Sequence, residues 1–260
     1  MRTSTVRSEL WSARAKDWAA IQEGFLRPVY ERVLSEIPVT PDTWFLDAGC
    51  GVGHAALAAR ARGARAYGLD SSEEALALAR ERIPEGEFRS GELESMPFPD
   101  DCFDATASVC SFQYAHDPIQ ALAEAKRVTR PGGKVAIVVW ALSEISDHSS
   151  TFSAIGNCIP SPPVGQPGPF SLALEGVLED VYKDQGLKIL RVGTIECRME
   201  FNSGSAAWGG MAMMPMIHVA IEHVGNDAAR KAVLESLLPF RTPKGGIRQR
   251  HLFHYVVGAK

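Results

Sequence analysis

Short apolar runs alternate with helical patterns through the first 140 residues. Trp44–Phe45–Leu46 is one such run, closed by Asp47, and predicts a strand covered on both faces. Gly49, Gly51 and Gly53 follow. His54 to Arg62 then predicts an alanine-rich helix with Gly63 just beyond it as a cap. Tyr67 to Asp70 predicts a second strand, and Ser72 to Arg82 a helix opened by a capping box of Ser71 and Glu74. Glu87–Gly91, Phe103–Val109 and Lys134–Trp140 predict three more strands. Asp117 as N-cap, Pro118 at the first helical position and Gln120 completing the box predict a helix to about Thr129. Pro131–Gly132–Gly133 reads as a turn. Strands that alternate with helices imply right-handed crossovers and a doubly wound, mostly parallel sheet.

Outside this stretch the rhythm changes. Glu9 to Ser35 predicts one or two helices, with Trp11, Trp18, Ile21, Phe25, Val29 and Val33 at helical spacing and Pro28 kinking or dividing them. After Trp140, His148 to Leu174 carries no Asp, Glu, Lys or Arg, contains Pro160, Pro162, Pro163, Pro167 and Pro169, and reads as irregular. Gly176 to Gln185 predicts a helix, Leu187 to Phe201 a sixth strand and His251 to Ala259 a seventh. Residues 203–247 read as two helices. The expectation is one α/β domain over residues 1–260 with a seven-stranded sheet and a helical cap. Residues 1–40 would supply lid helices, and 141–170 and 203–247 the cap insertions.

Composition narrows the partners. A net charge of −4 gives no electrostatic case for a nucleic-acid partner. The five cysteines contain no C-x-x-C pair, which indicates a reducing compartment rather than a disulfide frame. No secretory signal is visible, since charged residues run through Met1 to Ala20, so a cytoplasmic location is expected. Phe201 to Ile221 is uncharged, but Asn202, three glycines, Pro215 and His218 argue against a membrane span.

The candidate chemistry lies in DAGCGVG at 47–53. Three glycines at alternate positions let the backbone turn tightly and approach a ligand, and the following helix offers unpaired N–H groups to a carboxylate or phosphate. The dinucleotide fingerprint G-x-G-x-x-G would need glycine where His54 stands. Asp70 follows Asp47 by 23 residues, a spacing that places an acid at ribose hydroxyls. Together these residues describe a pocket for a nucleoside with a charged tail.

The order of motifs resembles the class I S-adenosylmethionine-dependent methyltransferases, in the small-molecule branch of the ubiquinone-biosynthesis type (methyltransferase type 11). DAGCGVG matches that family's E/D-x-G-x-G-x-G, LDSS at 69–72 its second acidic strand end, GELESMPFPDDCFD at 91–104 its G-D-A-x-x-L-P-F stretch, and RVTRPGGKVAI at 127–137 its R-x-L-K-P-G-G segment. The resemblance implies S-adenosylmethionine as cofactor. Asp47, Ala48, Gly49 and Gly51 would hold its methionine end, and Asp70 its ribose. Ser71, Glu92 and Leu93 would meet the adenine. Glu92 stands where aspartate is commoner in the family. Trp18, in Trp11-x-x-Arg14-Ala15-x-x-Trp18, would close over the cofactor, and Val109 at the fourth strand end would border it.

The acceptor is less legible. VCSFQYAHDP at the fourth strand exit lacks the [DNS]-P-P-[YF] segment of many nucleic-acid and protein N-methyltransferases, which favours a small-molecule substrate. Gln113 and Tyr114 replace two histidines frequent in ubiquinone-type relatives. No histidine pair has metal-ligand spacing, and no metal is expected. His116, His148 and His218 are candidate bases with surface or capping roles as the alternative, so no catalytic residue is assigned. Phe152, Phe170, Trp208, Met211, Met213, Met214 and Met216 fall in the low-charge insertions and suit either an adaptable apolar pocket or core packing. The expected function is methyl transfer to a small apolar or aromatic metabolite, mainly by alignment. The alternatives are a non-catalytic S-adenosylmethionine-binding module and a nicotinamide-dependent oxidoreductase. Monomer and homodimer both remain open.

Overall fold

The computed structural model describes residues 15–141, 146–159, 171–212 and 214–260. Trp11 and Arg14 of the predicted lid, with Met213 and Phe170 of the cap, lie outside the described residues. Seven strands form one sheet: β1 (Trp44–Ala48), β2 (Arg65–Asp70), β3 (Glu87–Ser90), β4 (Phe103–Val109), β5 (Thr129–Trp140), β6 (Lys188–Phe201) and β7 (Ile247–Ala259). Their order is β3-β2-β1-β4-β5-β7-β6, and β7 runs antiparallel to both neighbours. The chain therefore switches direction across the sheet between β1 and β4, where open α/β folds bind ligands.

Period-two alternation explains how β5 is buried on both faces. Val135, Ile137 and Val139 join Leu46, Phe103, Leu122 and Tyr182 on one face. Ala136, Val138 and Trp140 join Phe45, Val29 and Val33 on the other. Every one of these strand side chains is buried, the pattern of a central strand in a two-sided sheet.

The helices are α1 (Ala15–Glu36), α2 (His54–Arg60), α3 (Glu73–Arg82), α4 (Pro118–Val128), α5 (His148–Gly156), α6 (Val177–Asp184), α7 (Gly204–Met211), α8 (Pro215–Val224) and α9 (Asn226–Ser236). Three predicted details change. The helix α1 is continuous through Pro28, because Leu26, Val29 and Val33 bury one face on the sheet and that packing outweighs the lost hydrogen bond. At α3 the cap is Ser72, whose Oγ accepts from Ala75 N at 3.1 Å, while Ser71 stays exposed outside the helix. At α4, Asp117 Oδ1 accepts from Ile119 N and Gln120 N as expected. The return half of that box is supplied by Glu94, whose Oε1 accepts from His116 N and Asp117 N.

The cap differs most. Residues 203–247 hold three helices, because Gly225 at φ +85° separates α8 from α9. In the first insertion α5 is a regular helix, with the proline-rich stretch beginning only after it. Met211 and Met214 are buried, at 1% and 7% exposure, in the same core cluster as Leu26, Ile155 and Phe253. These two methionines are core rather than pocket lining. Trp208 and Met216 are partly buried against that core.

Candidate active site

The glycine loop folds as its composition dictates. Gly49, Gly51 and Gly53 all take left-handed conformations, with φ of +77°, +51° and +85°. A Cβ at Gly49 would lie 2.3 Å from Ser111 Cβ, so the close approach of the β4 exit requires glycine there. Ser111 Oγ donates to Gly49 O at 2.8 Å and fastens that exit to the loop. A Cβ at Gly51 would instead meet nothing within 4 Å. Open space lies beside that backbone, next to both acidic strand ends.

Two carboxylates organise the loop. Asp70 Oδ2 accepts from Gly51 N at 2.7 Å, and its Oδ1 from Ser72 N at 2.9 Å. Asp47 Oδ2 accepts from Ala56 N at 3.0 Å in the first turn of α2. Each oxygen can accept a further bond. Asp47 is buried, and that burial, reinforced by the charge of Asp70, pushes its carboxyl up to about 7. Burial also raises Asp70, against the pull of the Ser72, Gly51 and Ser71 N–H groups. Neither carboxylate takes part in an ion pair among the described residues. A buried acid and a partly buried one, without a cation among the described residues and beside an open glycine backbone, fit a ligand that brings positive charge and hydroxyl donors.

The remaining predicted residues surround this centre unevenly. Ala48 is buried in the core beneath the loop, Ser71 and Glu92 are exposed, and Leu93 and Val109 are half-buried. Trp18 lies on α1, with its side chain outside the described residues. The stretch after β3 is held by Arg127, whose guanidinium donates to Met96 O and Phe98 O and pairs with Glu124 and Asp100. Between α1 and α2 runs a cavity of about 630 Å³, whose lining includes Tyr30, His54 and Leu57 but neither aspartate.

The histidines are placed against a base role at neutral pH for one candidate. Burial lowers His148 to about 3, so its imidazole is neutral in the fold. It sits at the β5 and β7 ends, 4.8 Å from the Trp140 ring and 4.8 Å from that of His251 between centroids. His116 is exposed, and His218 pairs with Glu222 one helical turn on. Ser111 was not among the residues the motifs pointed to. A serine two residues beyond the strand carries no pattern of its own, and only the folded approach to Gly49 reveals it.

The strand order and the acid-clamped glycine loop define the class I methyltransferase fold. Residues 46–137 match the family described as a methyltransferase domain, and S-adenosylmethionine is the cofactor that this match and the fold imply. Over 125 residues the chain is 35% identical to the malonyl-[acyl-carrier protein] O-methyltransferase of Pectobacterium atrosepticum, covering 48% of this chain and 49% of that protein. The chain thus spans about half the length of the curated relatives it matches. Among solved structures it is similar to a chain in the complex of the Haloferax volcanii Trm112 methyltransferase activator with a methyltransferase. That likeness has a TM-score of 0.61 and 23% identity, over 100% of this chain and 99% of the other. It is also similar to a SAM-dependent methyltransferase from Aquifex aeolicus, with a TM-score of 0.50 and 22% identity over 64% and 83%.

Proposed function

We propose that this chain transfers a methyl group from S-adenosylmethionine to a small acceptor with an apolar or aromatic body. The observation that carries the reading is the pair of carboxylates, buried Asp47 and partly buried Asp70, which have no ion pair among the described residues and are set against an open left-handed glycine backbone. When bound, S-adenosylmethionine supplies an electrophilic methyl group on a positively charged sulfur. Asp70 keeps lone pairs for the ribose hydroxyls while it braces Gly51 and Ser72. Asp47 offers its charge to the methionine ammonium, with the backbone of Ala48, Gly49 and Gly51 beside it. Ser71, Glu92 and Leu93 border the adenine, and Arg127 holds the segment that carries the last two.

The protein's contribution to rate is then alignment, which in favourable systems supplies roughly 7–11 kcal/mol. Acceptors with an ionised oxygen need no base. The relatives named for malonyl-[acyl-carrier protein] make an oxygen acceptor a natural first class to test. Among the described residues no helix is long and apolar enough to cross a membrane, and all five cysteines are free. Both support a cytoplasmic enzyme. The nicotinamide alternative is disfavoured by His54 in place of the third fingerprint glycine.

Calorimetry with S-adenosylhomocysteine and NAD tests the reading. S-adenosylhomocysteine should bind in the micromolar range and NAD far more weakly. Asp70→Ala should lose about 1.5–3 kcal/mol of that binding, the value of hydrogen bonds to a charged group. Tighter binding of NAD would refute the proposal.

A further inference from the structure

Beyond the cofactor cradle, the β4 exit holds a polar side chain that the fold leaves unanswered. Gln113 is 5% exposed, and neither its Oε1 nor its Nε2 has a hydrogen-bond partner. Ser108, with a single hydroxyl, is also unpaired, but among the larger buried groups three keep a second, paired atom. His148 Nδ1 meets Ser146 Oγ, His251 Nε2 meets Gln249 Oε1, and Glu179 Oε1 meets His254. Gln113 leaves both ends of its amide unpaired. A buried amide without partners is costly, and folded chains pair such groups as a rule.

Its place in the fold gives that cost a purpose. Gln113 stands two residues beyond Ser111, which is bonded to Gly49 O in the cofactor loop. The short turn Phe112–Tyr114 that carries it is fixed by Tyr114 N donating to Ser111 O at 2.9 Å and Ala115 N to Phe112 O at 3.0 Å. Phe112 anchors the turn in the core at 1% exposure. Cys110, at the start of this exit, takes a φ of +57°, a strained conformation of the kind that clusters at ligand sites. The backbone that carries the amide is thus fixed at the carboxyl edge of the sheet, at the switch point between β1 and β4 and on the side of β1 away from β2 and β3.

We propose that Gln113 binds the polar head of the methyl acceptor, and that this head carries a hydrogen-bond donor beside a hydrogen-bond acceptor. The inference rests on the methyl-transfer reading above and narrows its acceptor, a molecule with an apolar or aromatic body, to one that also carries a two-point polar head. Nε2 donates to a carbonyl-type oxygen of that head, and Oε1 accepts from a neighbouring O–H or N–H. Such a contact orients the head and excludes acceptors that would leave the amide unpaired.

Gln113→Leu, apolar and of similar size, tests this against the wild-type chain in three measurements. S-adenosylhomocysteine affinity by calorimetry should be unchanged, because the residue meets the acceptor and not the cofactor. The melting temperature should hold or rise, because an unpaired buried amide has been removed. Tritium transfer from S-adenosyl-[methyl-³H]methionine should favour salicylamide, a phenol beside a carboxamide, over thiophenol, which has no such neighbour. The variant should lower that preference roughly tenfold, about the effect of one good hydrogen bond, by losing salicylamide turnover and keeping thiophenol. An unchanged preference, or no wild-type transfer to salicylamide, overturns the proposal. So does a melting temperature that falls by many degrees, or a loss of cofactor affinity in the variant. Failure of the wild-type chain to bind S-adenosylhomocysteine would instead overturn the methyl-transfer reading.

Discussion

At Asp47 burial and charge work against each other. Its carboxyl is 2% exposed, receives one backbone N–H, and is pushed up to about 7 by burial and by Asp70. A positively charged ligand binds the ionised form better, so binding below that pH must expel a proton. Affinity for S-adenosylmethionine should therefore rise with pH from about 5.5 and level off above about 7. Asp47→Asn should bind more weakly and show a flat profile over the same range. Calorimetry in buffers of different ionisation enthalpy would reveal the proton, and a sloping profile in the variant would show that another group titrates. Glycine at position 49 is a residue-scale constraint of a different kind. Its left-handed φ and the 2.3 Å approach of Ser111 are both invisible until β4 is placed beside β1.

Among the elements, the helices after β6 show how one composition serves either of two roles. Met211, Met214 and Ile217 are buried against α1 and the sheet, so the turn between α7 and α8 seals the core rather than opening a pocket. Met214→Ala should accordingly cost about 2–5 kcal/mol in chemical denaturation, the usual penalty for deleting a buried methionine. Cofactor affinity of the folded variant should change little. A stable variant with weakened acceptor binding would return this residue to the pocket. The segment RVTRPGG likewise divides into two tasks. Arg127 ties down the stretch after β3 with two carbonyls and two carboxylates, while Gly132 at φ +80° makes the turn within β5. Arg127 thus supports the segment that carries Glu92 and Leu93, the proposed adenine contacts.

For the whole molecule, the buried imidazoles set an acid limit on stability. Burial holds His148 at about 3 and lowers His251 as well, against about 6.5 in the unfolded chain. Unfolding therefore takes up protons below about pH 6.5, and the stability present above that pH is lost as the pH falls toward the folded values. Each such histidine contributes a slope of about 1.4 kcal/mol per pH unit. Urea unfolding between pH 7.5 and 5 should show falling stability. His148→Gln should flatten the dependence by roughly one histidine's share, and an equal slope in both chains would place the titration elsewhere.

What the sequence determined by itself was everything carried by local pattern. The seven strands, α2 to α4, the glycine loop and the two acids 23 residues apart follow from period, turn chemistry and spacing, because each is written within a few tens of residues. The cap was less legible, since Gly225 and Pro215 mark breaks whose consequences depend on what the flanking helices bury. Ser72 displaced Ser71 as cap because Asp70 draws Ser72 N toward the strand end, a contact between neighbouring elements. Only the tertiary structure decided that Ser111 closes on Gly49, that Met211 and Met214 are core, and that Gln113 is buried with both amide atoms unpaired. Those properties belong to residues brought together from distant parts of the chain. Burial and hydrogen-bond partnership are relations across the fold, and no local pattern encodes them.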